Sequence, residues 1–296
     1  SWYSSTTRKI RGAKLAAGAW ASGGNLNTGR RLGAGAGTQT AGLTAGGDQP
    51  DTPAVNNESE EYDGSSWTEG DNLTTARKAL AGFGTQTAAL VVGGNTGSNT
   101  DIVEQYDGSS WTEIADINTA RNALCGSGTT TAGIVMGGYS TGYSAATEKW
   151  NGTSWTEVGD LNTARLYNGS SPAGTSTATI TAGGETPSSP VAITELWNGT
   201  AWTEVADLNT ARATTGAGIS TSVIMIGGTP KTANTEEWDS SSWTEVANLS
   251  TAIWITASCG TSTVALAMGG NSDATTESVA TEEWDVSVAA SSFTSS

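Results

Sequence analysis

A pair of glycines closing a short apolar run recurs six times, at Gly46-Gly47, Gly93-Gly94, Gly137-Gly138, Gly183-Gly184, Gly227-Gly228 and Gly269-Gly270, with steps of 47, 44, 46, 44 and 42 residues. A fixed period of this length marks a solenoid, a propeller or an array, and it outranks any local propensity. Ten to fifteen residues past each pair stands an aromatic: Tyr62, Tyr106, Trp150, Trp197, Trp238 and Trp284. Five of these are followed five residues later by a tryptophan (Trp67, Trp111, Trp155, Trp202 and Trp243), whereas the sixth has only Phe293 after a longer gap. A second landmark trails each tryptophan. It reads Asp-Leu-Asn-Thr-Ala-Arg at 160–165 and 207–212, with variants ending at Arg77 and Arg121, an early copy ending at Arg30, and a last copy in which Ile253 replaces the arginine.

Each unit divides into four short strands. In the second unit, strand a is expected near 78–83, a turn at Gly84-Thr85-Gln86, strand b over 87–92, strand c near 102–106 and strand d from Trp111. Asp107-Gly108 suits a tight hairpin, because this dipeptide readily takes positive φ. Short strands with turns every 8–12 residues fit an all-β module, and no 3.6-residue apolar period supports helices. A four-stranded sheet cannot bury both faces alone, but copies stacked around an axis can. The glycine pair lets neighbouring sheets approach where a Cβ would collide. Each tryptophan wedges between blades, at roughly 4–6 kcal/mol per ring as an upper bound from the buried area.

The ends fix closure. Trp20 and Arg30 read as a strand d with no a, b and c before it, and 252–284 reads as a, b and c with a degraded d. The expected fold is therefore all-β, a six-bladed β-propeller of four-stranded blades spanning 17–285, its sixth blade completed by the N-terminal strand near Trp20. Closure of this kind removes two exposed sheet edges. Residues 1–16 form a basic arm with Arg8, Lys9, Arg11 and Lys14, and 286–296 form a tail.

The Gly-Gly…Tyr/Trp…Trp pattern resembles the kelch repeat and covers about 20–285. The phrases Gly-Thr-Gln-Thr-Ala and Ser-Ser-Trp-Thr-Glu are further similar to kelch-like proteins encoded by bacteriophages, especially marine ones. That resemblance implies a virion surface or tail-fibre component, located on the virion surface or otherwise extracellular.

Charge and composition narrow the function. The net charge is −16; the first 14 residues carry four basic groups, which leaves nine basic against 29 acidic groups, or −20, for the rest. Such a body repels phosphate backbones, so nucleic acid is not an expected partner. There is no histidine. Cys/His zinc sites and Ser–His or Cys–His catalysis are therefore excluded, and the histidine-containing copper site of galactose oxidase, another protein with kelch blades, has no counterpart. No cofactor or metal is expected, and no apolar run approaches the 18 residues of a membrane-spanning helix. Cys125 and Cys259 fall in units three and six, across the axis from each other and too far apart for a disulfide. Both are expected as free, buried thiols.

A glutamate precedes each strand-c aromatic by two residues: Glu60, Glu104, Glu148, Glu195, Glu236 and Glu282. That spacing puts the carboxylate on the face of a buried ring, where it needs a partner. Arg30, Arg77, Arg121, Arg165 and Arg212 are the candidates, giving a structural ring of Glu–Arg pairs; the alternative is a catalytic carboxylate pair, which six-fold repetition disfavours. Ile253 leaves one glutamate without its usual partner and marks the loosest seam. Binding is expected in the b–c loops, where the units differ most. Their candidate ligand residues are Asp48, Asp51, Asp101, Tyr139, Tyr143, Lys231 and Asp273, which offer stacking and hydrogen bonds to a sugar. Trp254, in an inner strand, is expected to plug the channel or pack under the N-terminal arm. The function that follows is non-enzymatic: adhesion to a host-surface glycan or docking on other virion proteins, with oligomers allowed. The alternatives are a cellular kelch scaffold for protein–protein interaction and a glycan-active enzyme.

Overall fold

The computed structural model describes residues 13–15, 17–49, 55–254, 257–271, 277–286 and 288–290. Asp51, Asp273, Phe293 and the arm residues Arg8, Lys9 and Arg11 lie outside them. The described residues form six four-stranded antiparallel sheets and one two-stranded ribbon. Within each blade, strands a to d are hydrogen-bonded in order. Blade 1 comprises Ala34–Thr38, Ala41–Asp48, Val55–Tyr62 and Trp67–Glu69; blade 2 comprises Ala81–Thr85, Ala88–Val92, Val103–Tyr106 and Trp111–Glu113. Blade 3 comprises Cys125–Thr129, Ala132–Met136, Thr147–Trp150 and Trp155–Glu157; blade 4 comprises Gly169–Ser170, Thr179–Ala182, Thr194–Trp197 and Trp202–Glu204. Blade 5 comprises Ala213–Ile219, Ser222–Thr229, Thr232–Trp238 and Trp243–Glu245. Blade 6 takes Ala257–Gly260, Val264–Met268 and Thr281–Asp285 from the C-terminal end of the chain and its outer strand, Ala19–Ser22, from the N-terminal end.

The a strands line the axis, each packing on those of the two flanking blades, with blade 6 returning to blade 1. Closure is specified in register: Trp20 pairs with Trp284, as Trp67 does with Tyr62 and Trp111 with Tyr106. Beyond the blades, Ala13–Leu15 of the arm pairs with Val288–Ala290 of the tail. No repeated landmark announces this ribbon.

The turn expected at Gly84-Thr85-Gln86 lies later. Strand a runs on to Thr85, which pairs with Ala88 across a Gln86-Thr87 turn. Gly84, at φ +111°, serves a close approach, since a Cβ there would sit 2.4 Å from the Ala88 carbonyl oxygen. Gln86 then reaches into blade 1, donating to the carbonyls of Gly42 and Tyr62, and Gln39 likewise donates to Trp284 of blade 6.

Three further sets of bonds join the blades. The second glycine of each pair donates its N–H to the carbonyl at the Thr-Ala-Arg arginine of the following blade: Gly47 to Arg77, Gly94 to Arg121, Gly138 to Arg165, Gly184 to Arg212 and, across the closure, Gly270 to Arg30. Gly228 does the same to Ile253, because only backbone is involved. The first glycine explains the pair's identity: at φ +65°, a Cβ on Gly46 would lie 2.7 Å from the Arg77 carbonyl oxygen. The strand-d tryptophans form the second set. Trp67, Trp202, Trp243 and Trp20 donate to Thr281, Thr147, Thr194 and Thr235 of the preceding blade. Blade 2 has Val103 at that position, so Trp155 turns instead to the Ala115 carbonyl. Third, Tyr62 donates to Glu283 at 2.6 Å and Tyr106 to Glu61 at 2.5 Å. Burial and those carboxylates push both phenols above their ordinary range.

Candidate binding face

The glutamate and arginine that recur in the sequence meet in five blades. Arg30–Glu60, Arg77–Glu104, Arg121–Glu148, Arg165–Glu195 and Arg212–Glu236 are ion pairs, the first four at 2.6, 2.7, 2.8 and 3.1 Å. All ten side chains are buried. Each arginine precedes its blade in the chain, so the pair ties the incoming d–a linker to strand c. The carboxylate does a second job. Glu148 accepts the Asn118 backbone N–H and side-chain amide, both at 2.7 Å, and Glu60 and Glu195 accept the equivalent pairs from Asn27 and Asn162. The guanidinium also bonds carbonyls: Arg121 donates to Gly137 and Ala146, and Arg30 to Gly46 and Glu58. Burial lowers the pKa of Arg77, Arg121 and Arg165, and the facing glutamate opposes that shift. Each of these carboxylates and guanidinium groups thus has its charge partner inside the frame.

What differs between blades sits just above this frame. The residue after each arginine, or after Ile253 in blade 6, bridges, antiparallel, to the residue after the glycine pair: Arg31 to Asp48, Lys78 to Asn95, Asn122 to Tyr139, Leu166 to Glu185, and Trp254 to Asn271. In blade 5 the same two positions are Ala213 and Thr229. The d–a and b–c segments therefore share one face, and their pairs surround the mouth of the axial channel.

A chain of backbone bonds runs along that mouth from blade 5 to blade 1. Leu32, Ala79, Ala123 and Tyr167 all sit in the left-handed region, at φ 51–59°. Ala79 donates its N–H to Leu32, Ala123 to Ala79, Tyr167 to Ala123 and Thr214 to Tyr167, at 2.7–3.2 Å. Left-handed backbone costs a non-glycine residue about 1–2 kcal/mol. Repeated at four blades and tied by these bonds, it rigidifies the rim.

The structure distributes the candidate ligand residues unevenly. Asp48 is 5% exposed and is held by Arg31 at 2.9 Å and Lys78 at 3.1 Å, with Arg31 also 3.3 Å from Glu277. It is the centre of an ion network rather than a free ligand group. Tyr139 and Tyr143 come together edge to face at 5.9 Å, with Tyr139 37% exposed. Asn99 ties this pair to blade 2 through the Tyr139 and Ser140 carbonyls and accepts from Asn122. Asp101 is partly buried beside the linker from blade 2 to blade 3 and accepts the Ile117 N–H on its backbone carbonyl. Lys231 is exposed at the blade 5 turn. Trp254 bridges to Asn271 beside the channel mouth, with the Arg31 guanidinium 5.7 Å from the centre of its ring. Sequence reasoning missed Arg31, Lys78, Asn122 and Glu185, each one residue past a repeated landmark, which was the available signal, and it missed Asn99, inside the b–c loop of blade 2. Tyr167 and Glu185 face each other near Arg31 and Asp48, and burial raises the pKa of both.

The channel below is narrow. Its cavity is about 110 Å³, lined by the a strands of all six blades. Ligand pockets usually measure about 300–1,000 Å³, so the channel is smaller than an ordinary ligand pocket. Among the described residues no cluster of three Asp, Glu or Cys is placed to hold a metal ion, and no helix is long and apolar enough to cross a membrane. Cys125 and Cys259 are free and buried in opposite blades. No family model and no curated protein matches this chain.

Proposed function

We propose that this chain is a kelch-like virion-surface or tail-fibre module that adheres, without catalysis, to a host-surface glycan through the b–c face. One observation carries the reading: six near-identical frames present twelve rim positions on fixed backbone, and those positions hold unlike side chains, Arg/Asp, Lys/Asn, Asn/Tyr, Leu/Glu, Ala/Thr and Trp/Asn. Rigid scaffolds with variable loops are how such folds bind. The exposed Tyr139 ring and the neighbouring Asn95, Asn99 and Asn122 supply an aromatic face and amides, the groups that meet sugar C–H and hydroxyl surfaces. Because the rim cations Arg31 and Lys78 are balanced by Asp48 and Glu277 and the body is acidic, the reading favours neutral sugars over sialylated or uronic ones. A glycan array probed with the wild-type protein and Tyr139→Ala tests it. Binding to neutral glycans that falls at least about tenfold in the variant is expected, the loss of one desolvated anchor. No binding above background, or equal binding by both proteins, removes adhesion through this rim.

A further inference from the structure

The sixth blade keeps the receptor for an arginine side chain but not the arginine. In the other five blades the guanidinium lies against the strand-c glutamate. It also donates to the first-glycine carbonyl in blades 1, 3 and 5, and to the carbonyl two residues before the glutamate in blades 1, 3 and 4. In blade 6 the equivalent acceptors are Glu282, Gly269 and Ala280, and Ile253 stands where the arginine would be. All four line a cavity of about 200 Å³. Ile253 ends at its δ-methyl group, short of the place a guanidinium would take. Glu282 is 7% exposed, against 0% for the other five glutamates, and still accepts the Ser250 N–H at 2.9 Å as its counterparts accept their linker amides. Among the described residues no basic side chain pairs with it. The cavity also reaches solvent, since its wall includes the exposed Asn25 and Ser250.

We propose that this cavity is a binding site for an alkylguanidinium group, carried by a small molecule or by an arginine side chain of a partner. The chemistry is the one the molecule uses five times: a buried carboxylate opposite two backbone carbonyls, which matches the planar donor fork of guanidinium better than a point-charge ammonium. The site lies between the blade 6 linker and strands b and c, apart from the Tyr139 rim, so it stands or falls independently of glycan binding.

The experiment is a titration of the full chain with ethylguanidinium at constant ionic strength, read by NMR shifts and by melting temperature, with ethylammonium as the comparison. Saturable binding is expected, with ethylguanidinium favoured over ethylammonium. Glu282→Gln and Ile253→Arg should each weaken it by about tenfold or more, the first by removing the charge and the second by filling the cavity. Ile253→Arg keeps the interpretation secure, because it completes the pattern of the other blades and is expected to fold. A second arm uses N-acetylarginine methylamide: saturation by it as well assigns the site to a partner's arginine, and saturation by ethylguanidinium alone assigns it to a small molecule. No saturable binding to wild type, or unchanged binding by Ile253→Arg, overturns the proposal.

Discussion

Replacing Arg121 by Ile copies the blade 6 arrangement into blade 3 and tests whether the Glu–Arg ring holds the blades. Arg121 and Glu148 are both fully buried and 2.8 Å apart, and the guanidinium also serves the Gly137 and Ala146 carbonyls. Removing it leaves Glu148 charged in the interior with only the Asn118 donors. Breaking one side of a buried pair costs about 3–5 kcal/mol, mostly the penalty of the stranded charge. At about 2.1 cal/mol/K of unfolding entropy per residue, this chain has about 0.6 kcal/mol/K, so the melting temperature should fall by about 5–8 °C. The assay is calorimetry or denaturant unfolding of wild type, Arg121→Ile and Arg121→Ile/Glu148→Gln. The double variant should recover at least about 1 kcal/mol of the loss, because neutralising Glu148 removes the charge that makes the single variant unstable. A single-variant cost below about 1 kcal/mol, or a double variant less stable than the single, refutes the reasoning.

The reverse change, Ile253→Arg, should raise stability by only about 1 kcal/mol, or about 2 °C, because side-chain ordering and lost isoleucine packing offset much of the new pair; an unchanged melting temperature counts against the seam argument. Tyr106→Phe removes the bond to Glu61 across the blade 1–2 seam and should cost about 1 kcal/mol in urea unfolding; a neutral result would mean that the bond does not strengthen the seam. Native protein at pH 8 should leave both thiols unreactive toward a disulfide reagent, whereas denatured, unreduced protein should titrate two. Burial pushes Cys125 up to about 11 and Cys259 up to about 12 from an ordinary 9.0. The folded state thus holds these protons more tightly than the unfolded state. Their contribution to stability is complete below pH 9 and is lost as the pH rises from 9 to about 12. A Cys125→Ala/Cys259→Ala variant whose stability falls as steeply over that range as wild type would contradict this.

Blade count, strand order, closure at Trp20 and the Glu–Arg pairs were legible because each rests on a residue type that recurs at a fixed spacing. Those side chains point the same way in every copy, so the period itself carried the geometry. Backbone bonding was not legible. The left-handed series uses Leu32, Ala79, Ala123 and Tyr167, four positions without the glycine that would have announced positive φ. The indole bonds to threonines of the preceding blade depend on which blade lies beside which, a fact the fold supplies. The rim was half legible. Tyr139 and Tyr143 stood out as aromatics in variable loops, and the structure pairs them. Asp48 also stood out, yet it is committed to Arg31 and Lys78, because those linker cations come from d–a segments that sequence order separates from the b–c loop.

Amide hydrogen exchange tests closure most directly, with an internal standard in the molecule. The outer strands Ala19–Ser22 and Trp111–Glu113 occupy the same place in their blades, but only the first comes from the far end of the chain. Equal protection of the two segments is the expected result. Exchange of 19–22 at the rate of unstructured chain, with 111–113 still protected, would show a ring that the N-terminal strand does not close.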